Sequence, residues 1–109
     1  MTPLRPTSDP DVVDNADQHR YEIRSGSELA GFALYTPSDR ALTFTHTEIE
    51  SRFDGQGLGG RLARAALDDV RARGLQAVPI CPFIAGWIGR HPDYVDLVDE
   101  RHRHNVESE

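Results

Sequence analysis

A chain of 109 residues holds one domain and is too short for two. Hydrophobic residues at 38% suffice for one compact core, and charged residues at 28% make an ordinary soluble surface. Twelve basic residues, all arginine, stand against 18 acidic ones, and the net charge of -6 lacks the basic excess that phosphate-backbone binding requires. A nucleic-acid partner is therefore disfavoured, while basic acceptors such as amines are favoured at encounter.

Residues 1–14, with Pro3, Pro6 and Pro10 among aspartates and serines, read as a mobile tail. They carry no apolar stretch of the signal-peptide kind, and no run in the chain approaches the ~20 apolar residues of a membrane span. The expected domain spans residues 15–100, with a polar tail at 101–109.

Arg20-Tyr21-Glu22-Ile23 alternates as a strand, and Ser25-Gly26-Ser27 turns the chain. Leu29–Tyr35 is a second strand, closed by Thr36-Pro37-Ser38-Asp39. Ala41–Ile49, rich in Thr and in aromatic or branched residues, is a third. A period of two places Leu42, Phe44, His46 and Glu48 on one face and Thr43, Thr45 and Thr47 on the other.

The pattern then becomes helical. Leu62, Ala63, Ala66, Leu67 and Val70 form one apolar stripe, and the spacings Arg64–Asp68 and Asp69–Arg73 predict i, i+4 ion pairs opposite it. Gly74 stands where a left-handed C-cap residue belongs. A fourth strand follows over Leu75–Cys81, and Pro79 within it predicts an edge strand that parts from its neighbour. Phe83, Ile84, Trp87 and Ile88 outline a short helix ended by Pro92. Tyr94, Leu97 and Val98 outline another piece. The order β-β-β-α-β-α predicts an α+β domain: an antiparallel meander, then a helix and a parallel-paired strand.

The segment Asp54-Gly55-Gln56-Gly57-Leu58-Gly59-Gly60-Arg61 joins the third strand to the helix. Glycines there allow several backbone N–H groups to converge, and a helix N-terminus adds about half a positive charge, a combination suited to a pyrophosphate. A Walker-type loop needs a lysine, which the chain lacks. A dinucleotide fold needs its glycines after the first strand of a parallel unit, not after a meander. A tight turn with no ligand is the plain alternative.

Glu48-Ile49 followed by Gly55-Gln56-Gly57-Leu58-Gly59 resembles the acetyl-CoA-binding motif of the GNAT N-acetyltransferases. His46-Thr47-Glu48, Ala65-Ala66-Leu67, Pro79-Ile80-Cys81-Pro82-Phe83, Arg90-His91-Pro92 and Asp93-Tyr94 resemble the short, single-domain branch of that superfamily. The resemblance implies a splayed sheet binding acetyl-CoA, with the pantetheine arm between the strands Ala41–Ile49 and Leu75–Ile80. It implies that Glu48 and Ile49 offer backbone bonds to that arm. It further implies that Gly55, Gln56, Gly57, Leu58, Gly59, Gly60 and Arg61 form the phosphate-binding turn. Many members carry Gln or Arg where this chain has Asp54.

The resemblance implies an N-acetyltransferase acting on a small-molecule or peptide amine, the alternative being a coenzyme A-binding module with little activity. Acetyl transfer to an amine needs a proton acceptor. Glu48 at the strand end is the first candidate and His46 the second, each with a structural alternative. Cys81 beside the expected thioester could take the acetyl group, or could be a small buried hydrophobe. As the single cysteine it excludes an intrachain disulfide, and it suits a reducing, cytoplasmic compartment. Tyr94 is a candidate acid for the departing thiolate. His102 and His104, without a nearby cysteine, make a poor metal site, and no metal is expected. The expected state is a monomer or weak dimer.

Overall fold

The computed structural model describes residues 11–106; residues 1–10 and 107–109 lie outside it. Five strands are described: β1 (Asp11–Asn15), β2 (Arg20–Ser25), β3 (Glu28–Pro37), β4 (Ala41–Ile49) and β5 (Gln76–Pro79). Two α-helices, α1 (Leu58–Ala72) and α2 (Pro82–Gly89), flank β5, and 3-10 turns at Pro92–Leu97 and Glu100–Val106 follow. The strands lie in chain order in one sheet; β1 to β4 are antiparallel, and β5 returns parallel to β4. This is the expected α+β architecture with one strand more than the sequence suggested.

That extra strand corrects the tail boundary. Asp11–Asn15 pairs in full with Arg20–Arg24, although Asp and Asn are poor strand formers. Long-range partners hold it: the Tyr35 hydroxyl donates to Asp14 at 2.6 Å, and Arg73 also pairs with Asp14. Burial and the Asp14 contact push the Tyr35 hydroxyl up to about 12, so it remains a donor at neutral pH. At the other end, residues 100–106 form a turn where a polar tail was expected, with Arg103 Nε donating to the Val98 carbonyl at 3.1 Å.

The core lies between the sheet and α1. Leu58, Leu62, Ala63, Ala66, Leu67 and Val70 are all buried, as the helical stripe requires, against Tyr21, Ile23, Ala33, Leu42 and Phe44. Each large side chain buried this way contributes about 1.5–3 kcal/mol. The helix ends in a Schellman motif: Gly74 is at φ +70°, Leu75 N–H bonds Val70 O at 3.0 Å, and Gly74 N–H bonds Arg71 O at 3.0 Å. Of the two expected i, i+4 pairs, Asp69–Arg73 forms at 2.9 Å. Arg64 and Asp68 instead meet through the Tyr94 hydroxyl, which accepts from Arg64 at 3.1 Å and donates to Asp68 at 2.7 Å.

A second correction concerns β4. His46 pairs with Leu34, but Phe44 pairs with Tyr35, so Thr45 is an unmatched residue at a bulge. The bulge shifts the alternation by one. Phe44 and Leu42 stay in the core, whereas beyond Thr45 it is Thr47 and Ile49 that continue the α1 face, opposite Ala33 and Gly31. His46 and Glu48 are turned to the outer face, on the cross-strand row Val13, Glu22, Phe32, Glu48 and its neighbour Arg20, Leu34, His46.

Candidate active site at the parted strands

β4 and β5 pair only over Ala41–Phe44 and Gln76–Pro79. Cys81 N–H donates to Phe44 O at 2.8 Å as the last link. Pro79 is the last paired residue, and β5 is an edge strand apart from one bridge between Ala77 and Val98. The upper half of β4 therefore has no β5 partner. Glu50 N–H bonds Ala30 O at 2.8 Å, so the ladder alternation directs Glu48 and Glu50 to β3 and turns the peptide groups of Thr47 and Ile49 toward the gap. A Cβ placed on Gly31 would lie 2.5 Å from Glu48 O, which fixes that carbonyl on the β3 side. Of the pair Glu48-Ile49, then, only Ile49 offers its backbone to the gap; Thr47 joins it.

From the gap a groove of about 480 Å³ runs past the Gly-rich turn, with Thr47, Ile49 and Phe53 at its floor. One wall is Asp54, Gly55, Gly57, Leu58, Gly59 and Gly60; the other is Phe83, Trp87 and Arg90 of α2 and its C-cap. Gly55 and Gly57 sit at φ +82° and +74°, a conformation a side chain rarely adopts. Gly57 is the N-cap of α1, and no side chain caps the helix, so its first amides are left for another acceptor. A Cβ on Gly59 would lie 2.8 Å from Phe83 Cζ, and one on Gly60 3.6 Å from Trp87 Nε1. Gly59 thus lets α2 close against the turn, whereas Gly60 has space for a side-chain carbon. Gln56 and Arg61 are exposed and outside the groove lining.

Cys81 is buried at the N-cap of α2, and its thiol donates to Thr47 Oγ1 at 3.4 Å. His46 Nε2 and Glu48 Oε1 are 3.2 Å apart and more than half exposed, on the opposite side of the sheet from the groove. The three catalytic candidates thus divide: Cys81 is buried behind Thr47, outside the groove lining, and His46 and Glu48 face the outer surface. Tyr94 is committed to Asp68 and Arg64 and does not line the groove; burial, then Asp68, raises its pKa. His91 stacks on Trp87 with ring centroids 3.9 Å apart, and its Nδ1 is 2.8 Å from Trp87 O. His102 Nδ1 contacts the Asp99 carboxylate at 2.9 Å.

Sequence reasoning missed Thr47, Phe53, Phe83, Trp87 and Arg90 as groove residues. Thr47 was assigned to the wrong face by the unseen bulge. Phe83 and Arg90 depend on how α2 crosses the turn, which no local pattern encodes.

The donor set fits coenzyme A: an uncapped helix start with glycines suits a diphosphate, and two peptide groups in an open gap suit an amide-bearing arm. Among the described residues no helix is long and apolar enough to cross a membrane. No curated protein matches the chain. The family model described as GCN5-related N-acetyl-transferase matches residues 20–97, which takes in β2 through the turn after α2 and every groove residue. The chain belongs to the GCN5-related N-acetyltransferase family.

Proposed function

We propose that the protein is an acetyl-CoA-dependent N-acetyltransferase that acts on an amine, of a small molecule or a peptide, in the cytoplasm. The observation that carries this is the meeting of the uncapped α1 N-terminus with the gap between β4 and β5, closed at its inner end by Cys81 and Thr47. Acetyl-CoA, when bound, supplies an activated acetyl thioester. The turn from Gly55 to Gly60 and the peptide groups of Thr47 and Ile49 are the groups that hold it.

The chain's own residues divide the remaining work by the two faces of the sheet. On the groove side, Thr47 Oγ1 accepts from the Cys81 thiol and keeps its own O–H to donate, a donor of the kind that steadies charge developing on a carbonyl oxygen. On the outer side, Glu48, backed by His46, is exposed and free to accept the proton of an amine arriving from solvent. The Thr45 bulge produces this division, because without it Thr47 and Glu48 would exchange faces. A buried free thiol suits a reducing compartment.

The test is release of free coenzyme A thiol from acetyl-CoA across a panel of amines, polyamines and N-terminal peptides. Turnover that requires both protein and one amine class supports the reading. Release no faster than the buffer rate across the panel counts against it.

A further inference from the structure

We infer that Arg90 is the cationic half of a diphosphate clamp, facing the Gly-rich turn across the groove. The inference rests on the cofactor reading above and goes beyond it, because the turn itself supplies no cation to the groove. Its only charged side chain in the lining is Asp54, an acid, which opposes an anionic ligand. The amides at the α1 N-terminus offset part of that charge, about half a unit.

Arg90 lies on the opposite wall. It follows α2 as the C-cap, and its guanidinium folds back along the helix: a Cβ placed on Gly86 would lie 3.4 Å from Arg90 Nη1. The guanidinium therefore lies within contact distance of Gly86 on the helix. Of the other arginines around the turn, Arg64 donates to Tyr94 and Arg52 pairs with Glu50 and Glu28, while Arg61 is exposed and outside the groove lining. Among the described residues no carboxylate pairs with Arg90, so its planar donor fork remains available. A guanidinium facing a row of backbone amides matches two phosphoryl groups held between them. Trp87, on the same wall, is 4% exposed and covered by His91, so it offers no face for a base to stack on. Phe83, 38% exposed, is the apolar ring left open on this wall, and Arg90 is its charged group.

The experiment is calorimetric titration of the intact chain with coenzyme A, with dephospho-coenzyme A, which lacks only the 3′-phosphate, and with pantetheine, which lacks every phosphate. Arg90→Gln is expected to weaken the first two by the same factor, at least tenfold, and to leave pantetheine unchanged. Arg90→Lys, which keeps the charge and loses the fork, should recover part of the loss. A loss confined to coenzyme A would assign Arg90 to the 3′-phosphate and overturn the clamp. Equal loss on pantetheine, or no loss on any ligand, would overturn it as well. If the unaltered chain binds none of the three, the cofactor reading itself fails.

Discussion

Cys81 Sγ lies 3.4 Å from Thr47 Oγ1, so that a thiol at the start of α2 meets a hydroxyl on the half of β4 that β5 has left. The contact depends on two departures from regular structure. Pro79 ends the β4–β5 ladder, and the Thr45 bulge turns Thr47 inward. Cys81→Ala, which removes the thiol that orients Thr47 Oγ1, is expected to lower kcat by about tenfold with acetyl-CoA affinity within twofold. Thr47→Val, which keeps shape and loses the hydroxyl, lowers kcat by about tenfold or more. Steady-state kinetics with calorimetry on both variants checks this; unaltered kcat in both would remove the pair from the chemistry.

Glu48 and His46 occupy the other face. Glu48→Gln is expected to reduce kcat by about a hundredfold, in the range of a lost general base, without changing cofactor affinity. His46→Asn should have a smaller effect, because His46 reaches the proton through Glu48. A Glu48→Gln variant that turned over at the wild-type rate would make Glu48 a solvated strand-end carboxylate.

Gly59→Ala separates stability from binding. Alanine favours the helix by about 0.5–1 kcal/mol, while its methyl must displace Phe83 Cζ, the far end of a partly exposed ring. The two effects nearly cancel, so urea midpoints should change little. The methyl and the displaced ring both intrude on the groove, however, and acetyl-CoA affinity should fall at least tenfold. Adding Phe83→Leu should restore part of it. A large loss of stability with affinity intact would contradict the packing described.

Glu22 is buried on the outer face and accepts from Arg20 at 2.8 Å, Arg24 at 2.9 Å and Asn15 at 3.0 Å. Burial alone would raise its pKa, but these three donors outweigh burial and hold it below the ordinary value of 4.5. A depressed carboxylate contributes stability above the unfolded pKa, and that contribution disappears as pH falls through the folded one. Glu22→Gln should therefore cost about 2 kcal/mol at neutral pH and flatten the acid side of the stability curve below pH 4.5. Denaturant midpoints from pH 3 to 7, roughly the span in which a carboxylate titrates, measure both.

Much of this was legible in the sequence where local rules prevail. The bounds of β4, the apolar stripe of α1, the Gly74 cap and the parting of β5 at Pro79 follow from residue chemistry at single positions. The Gly-rich turn was legible for the same reason. β1 was not, because Asp11, Asp14 and Asn15 read as loop and only Tyr35 and Arg73, distant in the chain, make a strand of them. Nor was the bulge: Thr43, Thr45 and Thr47 look alike in sequence, and the choice of Thr45 as the unmatched residue belongs to the β3–β4 register. The α2 wall lay out of reach as well, since the positions of Phe83 and Arg90 depend on where a short helix crosses a turn some 25 residues upstream.

The most direct test of the account is calorimetric titration of the purified chain with acetyl-CoA, run beside a Gly57→Val variant that cannot easily hold the φ of +74°. The account predicts saturable one-to-one binding by the unaltered chain and a loss of at least tenfold in the variant. Absence of binding at millimolar acetyl-CoA, or equal binding by both proteins, would contradict it.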